Sequence, residues 1–311
     1  MAQAQYAPAA NQVGTTAISK DSTIIINWAT EVIETNIGLM DIANSSGGNV
    51  NFGFPADALG VAEGSSTEIF SLGDNGFITL GFENPIKNGI GNDFAVFENS
   101  FSDDFLELAH VEVSTDGIRF VRFPSVSLTP TNTQTSSFGN TDPTKLYNLA
   151  GKYRQGFGTP FDLEDITDST DINLDSINYV RVIDVVGTLN TNFCSYDSQG
   201  HKINDPYPTA FASGGFDLDG IAVLNENKFV GINEIESNSY QIYPNPSNET
   251  VNIYTKTNCE VDIISINGQF TQHYSLLKNE EVQINYLKNG LYLVYFTTNK
   301  KTFIKKLIVN Q

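Results

Sequence analysis

Short segments of β-branched and aromatic residues, separated by turn residues, recur along this chain and constrain its fold more than any other feature. The clearest are STIIINW (22–28), GFITLGF (76–82), DFAVFEN (93–99), AHVEVST (109–115), IRFVRFP (118–124), INYVRVIDVVG (177–187) and FDLDGIAVL (216–224). Many short strands at such spacing predict an all-β fold, here a large jelly-roll-like β-sandwich. Only ATEVIETNIG (29–38) and PTKLYNLAGKY (143–153) leave room for short helices.

The strand pattern breaks off near residues 230–239 and then restarts. Alternating segments with turns at NPSN, NG and KNG follow, which predicts a small immunoglobulin-like β-sandwich. We therefore divide the chain into an N-terminal segment (1–20), a large sandwich (21–229), a linker (230–239) and a small sandwich (240–311). Residues 231–311 hold seven acids and seven bases, so the whole net charge of −19 falls in residues 1–230.

This charge and composition exclude several functions. An acidic module repels nucleic acid, and no apolar run is long enough to span a membrane. The two cysteines, Cys194 and Cys259, are too far apart to indicate a disulfide framework. Ala2 and Ala4 have the small-x-small pattern of a signal-peptidase site with no apolar segment before it, which predicts a mature exported chain restarted with methionine.

The segment DSQGHKIND (197–205) has the composition of a calcium loop. Asp197, Gln199 and Asp205 surround a glycine, and calcium takes oxygen ligands from carboxylates, amides and carbonyls. Pro208 stands where an EF-hand would place its bidentate glutamate, so an irregular structural calcium site is predicted. Its other ligands would be Asp184, Asp217 and Asp219. The alternative is an Asx-type turn with solvated acids.

Two other segments are candidates for ligand contact. Glu98 and Asn99 end the strand at 93–99, where Glu98 would contact a ligand or metal, or else pair with Arg119 or Arg181. The glycine-rich segment AGKYRQGFGTPFDL (150–163) can bring aromatic and basic groups against a planar ligand. The predicted platform consists of Lys152, Tyr153, Arg154, Phe157, Tyr207 and Trp28. The alternative is a loop strapped over the core with its aromatic side chains buried.

The tail carries a family resemblance. YPNPSNETVNI (243–253), DIISINGQ (262–269), NGLYLVYF (289–296) and KKLIV (305–309) occur in the order of the C-terminal sorting domain of Bacteroidetes type nine secretion cargo, which this tail resembles. The resemblance implies export to the outer cell surface by the type nine machinery. It also implies removal of the tail by a surface protease, followed by release or by attachment to a surface lipopolysaccharide.

Residues 50–224 resemble the "cell surface protein" domains of secreted bacterial proteins. SLGDNGFITLGFENPI (71–86), GNDFAVFEN (91–99), YVRVIDVVG (179–187) and DPYPTAFASGGFDLDGIAVL (205–224) carry this resemblance. Some relatives belong to systems that capture cobalamin. The closing FDLDGIAVL is also similar to the last strand of galactose-binding-like jelly rolls, in which nearby acids hold a structural calcium.

No catalytic motif stands out: the sequence has no P-loop, Rossmann fingerprint, HExxH, CxxC or G-x-S-x-G. We predict a secreted, surface-displayed, non-catalytic binding module, stabilised by calcium, that captures an extracellular ligand, with a glycan favoured. Three alternatives stay open: a cobalamin-capturing protein, a purely structural surface protein, and a glycoside hydrolase or lyase. The enzyme would require its acids to converge on a cleft. The candidate acids are Glu98, Glu107, Asp184 and Asp219.

Overall fold

The computed structural model describes residues 6–228, 239–248, 250–268, 271–285, 287–298 and 302–310. The chain divides into two compact units, Met1–Lys228 and Phe229–Gln311. The predicted linker, 230–239, lies outside the described residues except for its last residue. Among residues 6–228 the helical segments are four short 3-10 turns, at Ser45–Gly47, Pro55–Ala58, Pro143–Lys145 and Leu163–Ile166, and no α-helix occurs in the described ranges. The all-β prediction is therefore confirmed.

The first unit is a sandwich of a six-stranded and a five-stranded sheet. The six-stranded sheet contains, in spatial order, β1 (Ile18–Ser19), β11 (Phe157–Phe161), β6 (Phe94–Glu98), β13 (Asp217–Val223) and β2 (Asn27–Trp28), with β4 (Phe70–Ser71) also paired to β13. The five-stranded sheet contains β3 (Glu31–Asn36), β5 (Phe77–Ile86), β12 (Ile177–Asp184), β7 (Ala109–Ser114) and β8 (Val121–Arg122). A separate hairpin-like pair joins β9 (Val126–Ser127) to β10 (Leu146–Tyr147).

Alternation along the central strands builds the core of this sandwich. Register places Leu80, Val180 and Val113 side by side across β5, β12 and β7, and all three are buried. The next inward row, two residues along each strand, consists of Ile78, Val182 and Val111. Because the side-chain period of a strand is two, this register turns every second residue into the core.

The structure differs from the sequence-based expectation at three places. Residues 31–36, expected to allow a helix, form edge strand β3, because pairing with β5 outweighs a weak local preference and a bulge lies between Val32 and Glu34. Only residues 143–145 of the second candidate helix are helical. The segment 6–20 belongs to the first unit, since Ile18 pairs with Gly158 and the Tyr6 ring stacks on Tyr147 at 5.3 Å.

The second unit is a smaller sandwich of a three-stranded and a four-stranded sheet, which confirms the immunoglobulin-like prediction. The sheets contain β14 (Tyr240–Tyr243), β15 (Thr250–Thr255) and β18 (Glu281–Asn285), and β17 (Thr271–Leu276), β16 (Cys259–Ser265), β19 (Gly290–Thr297) and β20 (Thr302–Val309). Its core includes Tyr240, whose ring lies 4.8 Å from that of Phe296 and 5.0 Å from that of Phe303.

Candidate functional site

Five carboxylates are buried close to one another in the first unit, and we call them the acidic cluster. Its members are Glu98, Glu107, Asp184, Asp205 and Asp217, each at most 9% exposed. They come from strands β6, β12 and β13 and from two connecting segments. Each raises the pKa of a neighbour through charge repulsion or has its own pKa raised in that way. The fold therefore concentrates negative groups that are far apart in sequence.

Strand alternation turns Glu98 into the interior, and Glu107 lies there in the buried segment that precedes β7. Phe94 and Val96 of β6 face the core, and Glu98 is the next residue on that side of the strand. Leu106 and Leu108 are fully buried in a small apolar cluster, which leaves Glu107 between them on the other side of the segment. Two apolar runs thus each carry a buried carboxylate.

Hydrogen bonds satisfy the cluster only in part. Ser71 Oγ and Asn99 Nδ2 donate to Asp217, the latter over 3.2 Å, and the Leu108 amide donates to Asp205 Oδ2 at 2.8 Å. Two buried oxygens, Asp205 Oδ1 and Glu98 Oε1, have no hydrogen-bond partner. In the part of the chain that the structure describes, no donor reaches the Glu107 carboxylate and no lysine or arginine pairs with any cluster member.

Burial dominates the electrostatics of these groups. Desolvation raises the pKa of Glu107 well above its usual value, and repulsion from Asp217 and Glu98 raises it further. Desolvation likewise raises the pKa of Asp217 to about 7, against hydrogen bonds from Ser71 and Asn99 that lower it. The cluster consequently holds protons near neutral pH or requires a cation to remain ionised.

A cavity of about 180 Å³ opens on this cluster. Its floor includes Asn99, Glu107 and Asp217, and five phenylalanines line its walls, Phe52 among them. We call the other four the aromatic rim: Phe101, Phe105, Phe138 and Phe211. Three of them are strongly exposed, with Phe138 at 67%, Phe101 at 62% and Phe211 at 46%.

The rings of the rim follow one another in space. Phe101 stacks on Phe105 with centroids 4.5 Å apart, Phe105 lies 6.1 Å from Phe138, and Phe138 lies 5.6 Å from Phe211. A continuous exposed aromatic surface is costly in water and marks a binding site more often than a structural feature. The cavity therefore combines apolar walls with acceptor groups at its floor, as ligand sites commonly do.

The residues of the predicted calcium loop around Asp197 form a hydrogen-bonded turn. The Asp197 carboxylate accepts from the amides of Ser127, Gln199 and His201 at 2.8–2.9 Å and contacts His201 Nδ1 at 3.0 Å. Burial opposes ionisation, but the Ser127 and His201 hydrogen bonds hold the pKa of Asp197 below its usual value. Gln199 is exposed. This arrangement is an Asx-type turn, as in the alternative, but the acids of the loop, Asp197 and Asp205, are buried rather than solvated.

The other predicted calcium ligands separate into two places. Asp184, Asp205 and Asp217 belong to the acidic cluster, whereas Asp219 caps the amides of Glu63 and Gly64 at 2.9 and 2.8 Å. Among the described residues, no group of three or more His, Cys, Asp or Glu side chains is arranged to hold a metal. Calcium stays a prediction, and its position would be the acidic cluster, to which the loop at 197–205 contributes only Asp205.

The predicted platform is not assembled, because its members have separate partners. Lys152 and Tyr153 are buried, with Lys152 Nζ donating to the Leu146 carbonyl at 2.8 Å and Tyr153 bonded to Thr16 at 2.8 Å. This corrects the expectation of a stacking surface, since a fully buried ring has no free face. The segment 150–163 lies over the core with its tyrosine buried, which was the alternative to a ligand-binding platform.

Of the remaining platform residues, only Arg154 and Phe157 contact each other, and Trp28 and Tyr207 have other partners. Arg154 pairs with Asp103 at 3.0 Å and lies over the Phe157 ring at 4.9 Å. Trp28 packs on Phe97 at 5.2 Å, and the Tyr207 hydroxyl donates to Asp41 at 2.7 Å.

Glu98 ends β6 and Asn99 follows it, and their contact with a ligand stays a prediction. Asn99 lines the cavity, and Glu98 lies in the acidic cluster rather than in an ion pair, because Arg119 approaches Asp171 and Arg181 approaches Glu34. Sequence reasoning missed the aromatic rim. A usable signal existed in the phenylalanines of polar segments such as NSFSDDF (99–105) and TSSFGN (135–140), which no strand pattern explains.

Comparison with known proteins identifies the second unit. Residues 241–310 match the family model described as "Secretion system C-terminal sorting domain". The tail is thus a type nine sorting domain, as the resemblance implied, and the chain is secreted cargo that is exported to the outer surface or extracellular space. The match does not extend to residues 50–224, for which the "cell surface protein" resemblance stays a prediction.

Other comparisons add little to this assignment. The search of curated proteins gives no match. A solved structure titled "Biofilm associated protein - BSP domain" is similar at 9% identity, over 94% of this chain and 53% of that one, with a TM-score of 0.20. The chain therefore spans about half of that structure's length, and so low a TM-score supports no statement about fold or ligand. In the described part of the chain, no helix is long and apolar enough to cross a membrane.

Proposed function

We propose that the first unit is a non-catalytic binding module that captures an extracellular glycan in the cavity between the aromatic rim and the acidic cluster. The single observation that supports this most strongly is Glu107, a buried carboxylate without a hydrogen-bond donor that faces a cavity with exposed aromatic walls. Export by the sorting domain places such a site where extracellular ligands are available.

The chemistry of the cavity favours a sugar. Carboxylate oxygens of Glu107 and Asp217 accept hydrogen bonds from ligand hydroxyl groups, and the positively polarised C–H face of a pyranose packs on aromatic π faces. The volume of about 180 Å³ is close to the ~150 Å³ of a cavity that binds one benzene ring, so one sugar ring fits. Cobalamin is less suitable, because a ligand of its size requires a pocket beyond roughly 300 Å³.

Binding to a panel of glycans, measured first on a glycan array and then by calorimetry, tests this proposal. Phe138→Ala removes one rim ring and should weaken binding up to about tenfold, which corresponds to about 1.4 kcal/mol. Phe54→Ala is the matched control, because Phe54 is equally exposed, at 74%, but does not line the cavity. Silence of the wild-type protein across the panel would favour the purely structural alternative, and equal effects of both substitutions would remove the rim from the site.

A second candidate, glycoside hydrolysis, has one observation in its favour. Of the four acids expected to converge in an enzyme, Glu98, Glu107 and Asp184 lie in the acidic cluster, and Asp219 does not. A glutamic acid whose pKa is raised by burial is the usual proton donor to a leaving sugar. Release of reducing ends from a bound oligosaccharide, abolished by Glu107→Gln, would establish hydrolysis over simple capture.

Calcium remains part of the proposal as a structural ion of the acidic cluster. Free oxygens on Glu98 and Asp205 have the donor chemistry that calcium prefers, and the ion would neutralise carboxylates that lack a basic partner. Binding would require the carboxylates to draw together, since no three described side chains are arranged to share a metal in this structure. Comparison of melting curves with calcium and with chelator tests it.

A further inference from the structure

We propose that the cavity selects a sugar carrying an unsubstituted primary ammonium group, an amino sugar, over its neutral and N-acetylated counterparts. This inference rests on the proposed glycan capture and specifies the chemistry of its ligand. Its basis is that no described lysine or arginine pairs with the acidic cluster, together with aromatic walls that themselves attract cations.

The first step concerns charge balance at the cavity floor. Glu107 and Asp217 face the cavity, and Glu98, Asp184 and Asp205 lie behind them, all buried and none ion-paired with a described lysine or arginine. A buried carboxylate that meets only neutral hydroxyls remains poorly compensated, whereas an ammonium group supplies both charge and up to about three donors. A ligand cation thus provides what the protein does not.

The walls of the cavity add to this preference. The π face of a phenylalanine ring carries negative potential, so a cation held near it is stabilised, more strongly when solvent is excluded. Phe101, Phe105, Phe138 and Phe211 line the cavity, and their rings follow one another at centroid distances of 4.5 to 6.1 Å. Such walls take the C–H face of a sugar and its ammonium group at the same time.

The protonation state of the floor provides a signature that separates the ligands. Burial raises the pKa of Asp217 to about 7, and repulsion from it contributes to raising that of Glu107, so the cluster holds protons near neutral pH. A cation that binds there favours the ionised carboxylates and displaces protons into the solvent. A neutral sugar leaves the protons in place. Calorimetry in buffers of different ionisation enthalpy measures the number of protons released.

The experiment compares three short β-1,4-linked oligosaccharides that share one backbone: the glucosamine, N-acetylglucosamine and glucose oligomers. Chelator is present throughout, so that no metal cation occupies the acidic cluster. The full-length protein should then bind the glucosamine oligomer about tenfold or more tightly than the other two, with proton release only for that ligand. Dimers at constant, moderate salt limit adsorption of a polycation to the acidic surface, which carries the net charge of −19.

Glu107→Gln should bring the three affinities close together and suppress the proton release, and Asp217→Asn, a second variant, should act in the same direction. Glu83→Gln is the control, because Glu83 is an exposed acid of β5 outside the cavity and should leave the preference unchanged. Tryptophan fluorescence of Trp28, the only tryptophan, checks that each variant is folded.

The outcomes distinguish a failure of the amino-sugar preference from a failure of the proposed glycan capture. Equal affinity of the wild-type protein for the three oligomers, or tighter binding of a neutral one, overturns the amino-sugar preference while glycan capture stands. A preference that Glu107→Gln leaves intact shows adsorption to the acidic surface and also overturns the inference. No binding to these oligomers or to the wider panel overturns both.

Discussion

Raising the pH should destabilise the first unit, and Asp217 allows the size of this effect to be worked out. The pKa of its carboxyl group is raised from 3.8 to about 7, chiefly by burial. The folded state therefore retains a proton that the unfolded state loses. Its contribution to stability is fully present below the unfolded pKa and is lost as the pH rises through about 7.

The magnitude follows from the shift of about three pKa units. Each unit corresponds to about 1.4 kcal/mol, so ionisation of Asp217 costs about 4 kcal/mol of unfolding free energy between roughly pH 4 and pH 8. Asp217 is 5% exposed, which leaves little solvent screening to reduce this value. Glu98 and Glu107 have pKa values shifted in the same direction, so they add to the loss. This is a large part of the stability of an ordinary domain.

Urea unfolding at a series of pH values, followed by Trp28 fluorescence, measures this dependence for the first unit alone, because the chain has one tryptophan and it lies in β2. Chelator is included, since a bound cation would keep the carboxylates ionised. Asp217→Asn should reduce the fall in unfolding free energy between roughly pH 4 and pH 8 by about 4 kcal/mol. A change in stability that is the same at every pH does not affect this comparison. Exposed Glu83→Gln serves as the control. Parallel profiles for wild type and Asp217→Asn, or a wild-type stability that rises with pH, would refute the reasoning.

Further predictions concern the glycines, the cluster and the tail. Gly151→Ala should destabilise far more than Gly156→Ala in urea unfolding, since both have positive φ but only at Gly151 would a Cβ collide with the Glu107 carbonyl; the φ cost alone is about 1–2 kcal/mol. Glu107→Gln should raise the melting temperature of the ligand-free protein near pH 8, and an unchanged or lower value would contradict a repulsive cluster. If calcium binds, a concentration of 100 times its Kd should add about 2.7 kcal/mol, and curves that coincide with those in chelator would remove the metal. A chain that ends at Lys228 should fail to reach the cell surface while its Trp28 unfolding curve stays unchanged.

Local pattern was enough to predict the strands whose alternation is strong. A strand of the first unit lies in each of the segments 76–82, 93–99, 109–115, 177–187 and 216–224. In these segments the β propensity and the alternation of apolar residues both predict a strand. Segment 22–28 was less informative: only Asn27–Trp28 is strand, since its isoleucines at 24 and 26 are 52% and 49% exposed. Pairing with a neighbour, rather than local preference, made residues 31–36 a strand.

The site was only partly accessible from sequence. The sequence showed that acids are abundant and that Glu98 and Asn99 end a strand. It did not show which acids meet, because Asp217 is brought next to Glu98 and Glu107 only by the fold. The glycine-rich segment at 150–163 looked like a ligand loop because glycine and aromatic residues have that use. Its burial follows from bonds such as that of Tyr153 to Thr16, which lies 137 residues away along the chain.

Sequence by itself determined that this protein is all-β, that it has two modules of different charge, and that its tail is a sorting signal for export. The first two properties depend on composition and on side-chain periods of a few residues, which are present before folding. The third depends on motifs that resemble a known family. Tertiary structure decided where the charges go. Whether a carboxylate becomes a turn cap like Asp197 or a buried, partnerless group like Glu107 depends on desolvation and on donors that other segments bring to it.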